Sequence, residues 1–201
     1  MRKKMRVFQR PLGERRYKKL FVVSVEGSKT EPQYFAMFNE LQSIVLVKCL
    51  KRKATESSPL QVLKGMESYL RKESLRKTDE AWIVVDKDDW TLEQLRKLLQ
   101  WAKKSIKYGL ALSNPNFEYW LLLHFEDGKK LATSQECLVR LKKHLSNYKK
   151  EIDAKKITLK HINRAIARAK QKDGSRPNDV PHIWSTNVYR LIERILNHKK
   201  M

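Results

Sequence analysis

Four short apolar runs constrain this chain more than any other feature: LFVVSVE (20–26), IVLVKCL (44–50), AWIVVD (81–86) and YGLALSN (108–114). They read as strands, and the first is continuous rather than alternating, the pattern of a strand covered on both faces. Helical spacing fills the intervals. Pro32 suits the first residue of a helix with Tyr34, Phe35, Phe38 and Leu41 on one side. Ser57, Ser58 and Pro59 open a second helix. Thr91 caps a third, whose apolar side holds Leu92, Leu95, Leu98, Leu99 and Ala102. Alternating strand and helix predict an α/β fold: a mostly parallel four-stranded sheet, flanked by helices, with right-handed crossovers.

After Pro115 the pattern changes. NFEYWLLLHFE (116–126) reads as an apolar helix or a buried strand-to-helix turn, and 134–149 and 157–172 as amphipathic helices. The last helix is expected over 186–197, with Thr186 as a candidate N-cap and Val188, Leu191, Ile192, Ile195 and Leu196 facing the core. The expected organisation is a basic arm (1–19), an α/β core (20–128) and a basic helical extension (129–201) packed on that core.

Charge sets the partner class. The 201 residues hold 44 Lys and Arg against 22 Asp and Glu, a net charge of +22. The excess lies at the ends: 9 basic and 1 acidic residue in 1–19, and 19 basic and 6 acidic in 129–201. Such ends attract polyanions, and nucleic acid is the expected partner. Lys156, Lys160, Arg164, Arg168 and Lys172 recur every four residues, a stripe opposite Leu159, Ile162, Ile166 and Ala169. Like charges so placed repel, and a phosphate backbone would relieve them; a solvated face is the ordinary alternative. The stripe does not separate DNA from RNA. Cys49 and Cys137 offer neither a disulfide framework nor a metal knuckle, which fits a reducing cytosol. With no apolar signal core and no run of about 20 apolar residues, the chain is expected to be cytoplasmic and away from membranes. A homodimer is compatible with it.

The acids are concentrated where the strands end. In an open parallel sheet, function gathers at the carboxyl ends of the strands. Glu26 ends the first strand, and Asp86, Asp88 and Asp89 end the third. If those strands are neighbours, the acids converge, and crowded carboxylates require a counter-charge. Mg²⁺ (or Mn²⁺) supplies one, since hard cations take oxygen ligands. Asp88 or Asp89 could instead cap the next helix, and Glu26 could pair with a lysine. Asn114, Asn116 and Glu118 follow the fourth strand and are expected at the same edge; turn and capping chemistry is an equal reading for the two asparagines. Gly27 permits a tight turn. Thr30 and Glu31 are expected to cap the first helix, Glu31 being also a lesser site candidate. His124, alone in an apolar run, reads as a hydrogen-bonded core residue.

A glutamate-glycine after one buried strand with a D-x-D after another resembles the signature of Toprim domains, which occur in topoisomerases, primases and OLD-type nucleases. EGSKTEPQYF (26–35), VVDKDD (84–89), SNPNFEYWLLLHFE (113–126) and STNVYRLIERI (185–195) resemble more closely the RloB-like family of small bacterial defence proteins. The resemblance implies a Toprim-like core and a metal-dependent endonuclease, a toxic effector of anti-phage abortive infection working with an ABC-type AAA ATPase. No G-x-x-x-x-G-K-[ST] is present, so that ATPase would be another chain. In this reading Asp86 and Asp88 hold the metal, Glu26 is a further ligand or the general base, and Glu118 completes the site. Asp89 leaves the ligand set open. The alternative is a non-catalytic nucleic-acid-binding subunit.

Overall fold

The structure is a computed structural model and describes residues 19–42, 44–50, 59–87, 90–146, 148–149, 151–174 and 180–197. The expected arm (1–19), except Lys19, lies outside them, as do Ser57, Ser58, Asp88 and Asp89. The elements run β1 (Lys19–Val25), α1 (Thr30–Leu41), β2 (Val45–Cys49), α2 (Pro59–Lys72), β3 (Glu80–Asp86), α3 (Leu92–Ala102), β4 (Tyr108–Asn114), α4 (Phe117–Leu122), α5 (Ser134–His144), a 3₁₀ turn (Ala154–Lys156), α6 (Leu159–Lys172), β5 (Ser185–Thr186) and α7 (Val188–Leu196).

The sheet has five strands in the order β2-β1-β3-β4-β5. The first four are parallel, and β5 pairs antiparallel with β4. A fifth strand was not expected. It is two residues long, too short for any periodicity, and it occupies the stretch read as a helix start. Thr186 therefore lies in the sheet, where its hydroxyl donates to the Leu112 carbonyl at 3.1 Å and accepts the Val188 N–H at 3.2 Å. Asn187 extends the pairing: Oδ1 accepts the Leu112 N–H at 2.6 Å, and its own N–H donates to Leu112 O at 3.0 Å. At the opposite edge the Asn39 side chain pairs with both backbone groups of Val47, at 2.7 and 3.0 Å. Two asparagine amides thus stand in for missing strand neighbours.

The continuous apolar runs are explained by two covered faces. Phe21, Val23, Val25, Trp82, Val84 and Ala111 join one core with α1 and α4–α7. Val22, Ala81, Ile83, Val85, Leu110 and Leu112 join another with α2 and α3. The residues of both cores alternate along each central strand, as the period of two requires. Edge strand β2 is covered on one side only, which leaves Leu46 42% exposed.

The helices follow the expected patterns with local corrections. Thr91 forms a capping box with Gln94. Leu41, Leu92 and Leu159, expected inside, are exposed; each is a terminal residue of its helix and projects past the surface below. Ile162, Ala165, Ile166 and Ala169 of α6 are buried. His124 is fully buried: Nδ1 donates to Trp120 O at 3.0 Å and Nε2 accepts the Tyr34 hydroxyl at 3.0 Å. Burial drives its pKa down to about 4, so it is a neutral core residue.

At the amino-terminal edge of the sheet, Glu80 lies buried beneath three donors: Lys19 at 2.6 Å, the Trp82 indole N–H at 3.0 Å and Arg194 at 2.6 and 2.8 Å. This cluster ties α7 to β3, at the end of the sheet opposite the expected site.

Candidate metal centre

The site is built by two neighbouring strands. Val25 of β1 is in register with Val84 of β3, so β1 ends there while β3 runs on two residues to Asp86 beside β4. Strand order reverses between β1 and β3, the position where open α/β sheets place ligands. Glu26 and Asp86 emerge there, both half-buried. Glu26 Oε2 accepts the Asp86 backbone N–H at 3.3 Å, which fixes one acid against the strand that carries the other. The next residue, Lys87, donates its N–H to both Ser113 O at 2.8 Å and Pro115 O at 3.0 Å, tying the end of β3 to that of β4. Trp90 closes the following turn on Lys87 O at 3.2 Å and inserts into the core beneath.

Gly27 has a steric reason. A Cβ there would lie 2.0 Å from Glu31 Oε2. Glu31 folds back from the first turn of α1 and accepts the Gly27 N–H at 2.8 Å. Thr30 and Glu31 therefore do not cap α1 as expected. The N-cap position is Lys29, without a side-chain bond, and Thr30 is already helical. Glu31, buried, rigidifies the turn after β1 instead.

Glu118 lies in the first turn of α4 and is buried. Tyr148 donates its phenol to Glu118 Oε1 at 3.0 Å. The Tyr148 hydroxyl also meets Thr30 Oγ1 at 3.3 Å; with the phenolic proton committed to the carboxylate, Thr30 is the donor to Tyr148. The chain Thr30 to Tyr148 to Glu118 joins α1 to α4. Burial first, then the Glu118 charge, pushes the Tyr148 phenol well above its ordinary range, so it stays a donor. Asn116 caps α4 through the Tyr119 N–H at 3.3 Å, and Asn114 donates to Pro181 O at 3.0 Å. Both asparagines thus have capping and tethering roles beside the site.

The basic stripe of α6 is divided. Arg168 donates to Leu123 O at 2.7 Å, and Lys172 to Tyr119 Oη at 2.9 Å and Gly128 O at 3.3 Å, so these two anchor α6 to the end of α4. Lys156 precedes the helix and reaches Ser146 Oγ at 3.4 Å. Lys160 and Arg164 remain exposed on α6 itself. Burial pushes the thiols of Cys49 and Cys137 up to about 12, which makes both inert at neutral pH.

The donor set suits a hard cation. Among the described residues no three His, Cys, Asp or Glu side chains gather as a ready-made metal cage. Mg²⁺ needs no such cage: it takes one or two carboxylates and completes its octahedron with waters and a substrate phosphate. Glu26 and Asp86 meet that requirement. Tyr148 is the site residue the sequence conceals: it lies 30 residues after Glu118, in a stretch read as the end of an amphipathic helix (134–149), whereas α5 stops at His144. No described helix is long and apolar enough to cross a membrane.

A model of the RloB-like protein family matches residues 21–195, all five strands of the sheet falling within or at the edge of that span. No curated protein and no solved structure matches the chain.

Proposed function

The chain belongs to the RloB-like family, and from that premise we propose that it is a Toprim-type, metal-dependent nuclease, the effector of an anti-phage system controlled by a separate ABC-type AAA ATPase. One observation carries the reading: Glu26 and Asp86 stand side by side at the carboxyl ends of adjacent parallel strands, where strand order reverses. The net charge of +22 supports a polyanionic substrate.

In this reading Glu26 and Asp86 hold Mg²⁺ or Mn²⁺, with Asp88 and Asp89 as further candidates outside the described residues. A bound divalent cation would acidify a water and neutralise charge on the scissile phosphate. The chain's own residues do the positioning. The Asp86 N–H orients Glu26, and Glu31 stiffens the Gly27 turn that carries it. Tyr148 holds the Glu118 carboxylate in place, ready to orient a water. Lys160 and Arg164 receive backbone phosphates.

A non-catalytic nucleic-acid-binding subunit is the second reading. It is favoured by the strongly basic ends of the chain, which attract a polyanion without any metal. Cleavage decides between the two. Protein with its partner ATPase, nucleic acid and Mg²⁺ should produce new strand ends that sequencing detects. Glu26→Gln and Asp86→Asn should bind nucleic acid but leave it whole. Uncut substrate with the wild type, or normal cutting by either variant, refutes the nuclease.

A further inference from the structure

Three rings converge on the surface at the far end of α4. Phe125 stacks on His144 with centroids 5.0 Å apart and planes within 7°. His161 packs on Phe125 at 5.2 Å, tilted by 50°. Phe125 is half-buried and rests on the core. His144 is the last residue of α5, and its side chain is 35% exposed. His161 sits in the first turn of α6, where its Nδ1 accepts the Thr158 N–H at 3.3 Å. Two helices thus bring imidazoles against one phenylalanine.

The surroundings are cationic. Lys142 and Lys143 precede His144, and Lys160 and Arg164 flank His161; all four are exposed. Glu126 approaches His144 Nε2 at 3.8 Å and is already held by Arg140 at 2.5 Å. An exposed flat ring amid backbone-seeking cations is the composition of a single-strand binding surface: cations track phosphates and rings stack on bases. Only unpaired nucleotides offer their base faces, because a duplex buries them in its own stack. The position also fits. Phe125 follows Glu118 by seven residues, three past the end of α4, so its ring lies on the same stretch of chain as Glu118.

We infer that the exposed face of His144, backed by Phe125 and flanked by Lys142, Lys143, Lys160 and Arg164, is a stacking platform for an unpaired base of single-stranded nucleic acid. Phe125 stiffens the imidazole, so little side-chain freedom is lost on binding. The inference rests on the nucleic-acid reading above, yet binding needs no metal, so the two fail separately.

The test is fluorescence anisotropy of the full chain in EDTA with labelled single-stranded oligonucleotides of DNA and RNA, and with abasic and duplex versions of equal length. Wild-type protein should bind the base-bearing single strands about tenfold more tightly than the abasic ones. His144→Ala should erase that preference without changing the salt dependence, and His144→Trp should restore it. Arg164→Ala should reduce the salt slope by about one and keep the preference. Equal wild-type affinity for base-bearing and abasic strands, or for single strand and duplex, overturns the platform whatever the variants do. So does a His144→Ala protein that keeps the preference. If the preference holds while Mg²⁺ yields no cleavage, the platform stands and the nuclease fails.

Discussion

Glu26 Oε2 accepts the Asp86 backbone N–H at 3.3 Å across the seam between β1 and β3. The bond makes the position of one acid depend on the strand that bears the other. Glu26 is thus already held beside Asp86, so fixing its side chain there on binding a cation would cost little further entropy.

Tyr148 tests whether Glu118 takes part. Tyr148→Phe removes one buried hydrogen bond and keeps the ring, so unfolding in urea should show a loss of about 1 kcal/mol. If Glu118 orients a reacting water, kcat should fall roughly 10- to 100-fold with KM unchanged. An unaltered kcat assigns the Thr30–Tyr148–Glu118 chain to structure alone.

Gly27 and Gly65 should respond in opposite directions to alanine. At Gly27 the added Cβ would collide with the Glu31 carboxylate. The bond from the Gly27 N–H would break, and stability should drop by about 1–2 kcal/mol. Gly65 lies inside α2, where the nearest neighbour of a Cβ is Ser24 Oγ at 3.8 Å. Gly65→Ala should therefore stabilise by up to about 1 kcal/mol. Thermal melts of the two variants against the wild type check both signs.

These assignments show which physics is legible in one dimension. β1, β3 and β4 were readable because burial on both faces forces an unbroken apolar run, and Thr91 because capping is local. β5 was hidden: Ser185 and Thr186 pair with β4 some 70 residues away, which no period of two residues can announce. The stripe on α6 had the right spacing, but spacing could not reveal that Arg168 and Lys172 turn to the carbonyls behind α4. Glu26 and Asp86 were legible as strand ends. Tyr148 was not, because its partner Glu118 is close only after folding.

His124 predicts a pH dependence on the acid side of neutrality. Its folded pKa of about 4 lies below the ordinary 6.5, so the unfolded chain takes up the proton first. The stability it contributes is complete above pH 6.5 and is lost as pH falls to 4, by up to about 3 kcal/mol. Stability measured over that window should fall with pH for the wild type and less steeply for His124→Gln. Parallel curves would mean that His124 is protonated without cost.

Glu80 acts at lower pH. Burial alone would raise its carboxyl pKa, but hydrogen bonds from Arg194, Lys19 and Trp82 outweigh burial and hold it below 4.5. Its contribution is complete above pH 4.5 and is lost as pH falls through the depressed folded value. Glu80→Ala should cost about 3 kcal/mol at pH 7, because Lys19, Trp82 and Arg194 lose their common partner. Arg194→Ala should cost about 1 kcal/mol, since that side chain is 52% exposed. Urea titrations at pH 7 and pH 3 distinguish the two: the penalty of Glu80→Ala should shrink at pH 3.

The central claim is that Glu26 and Asp86 hold a divalent cation, and Mn²⁺ titration of the purified chain, followed by electron paramagnetic resonance, addresses it most directly. Wild-type protein should bind Mn²⁺ with loss of the free-ion signal, Mg²⁺ should compete, and Glu26→Gln and Asp86→Asn should each weaken binding at least about tenfold. Mn²⁺ affinity that is equal in the wild type and both variants would contradict the account.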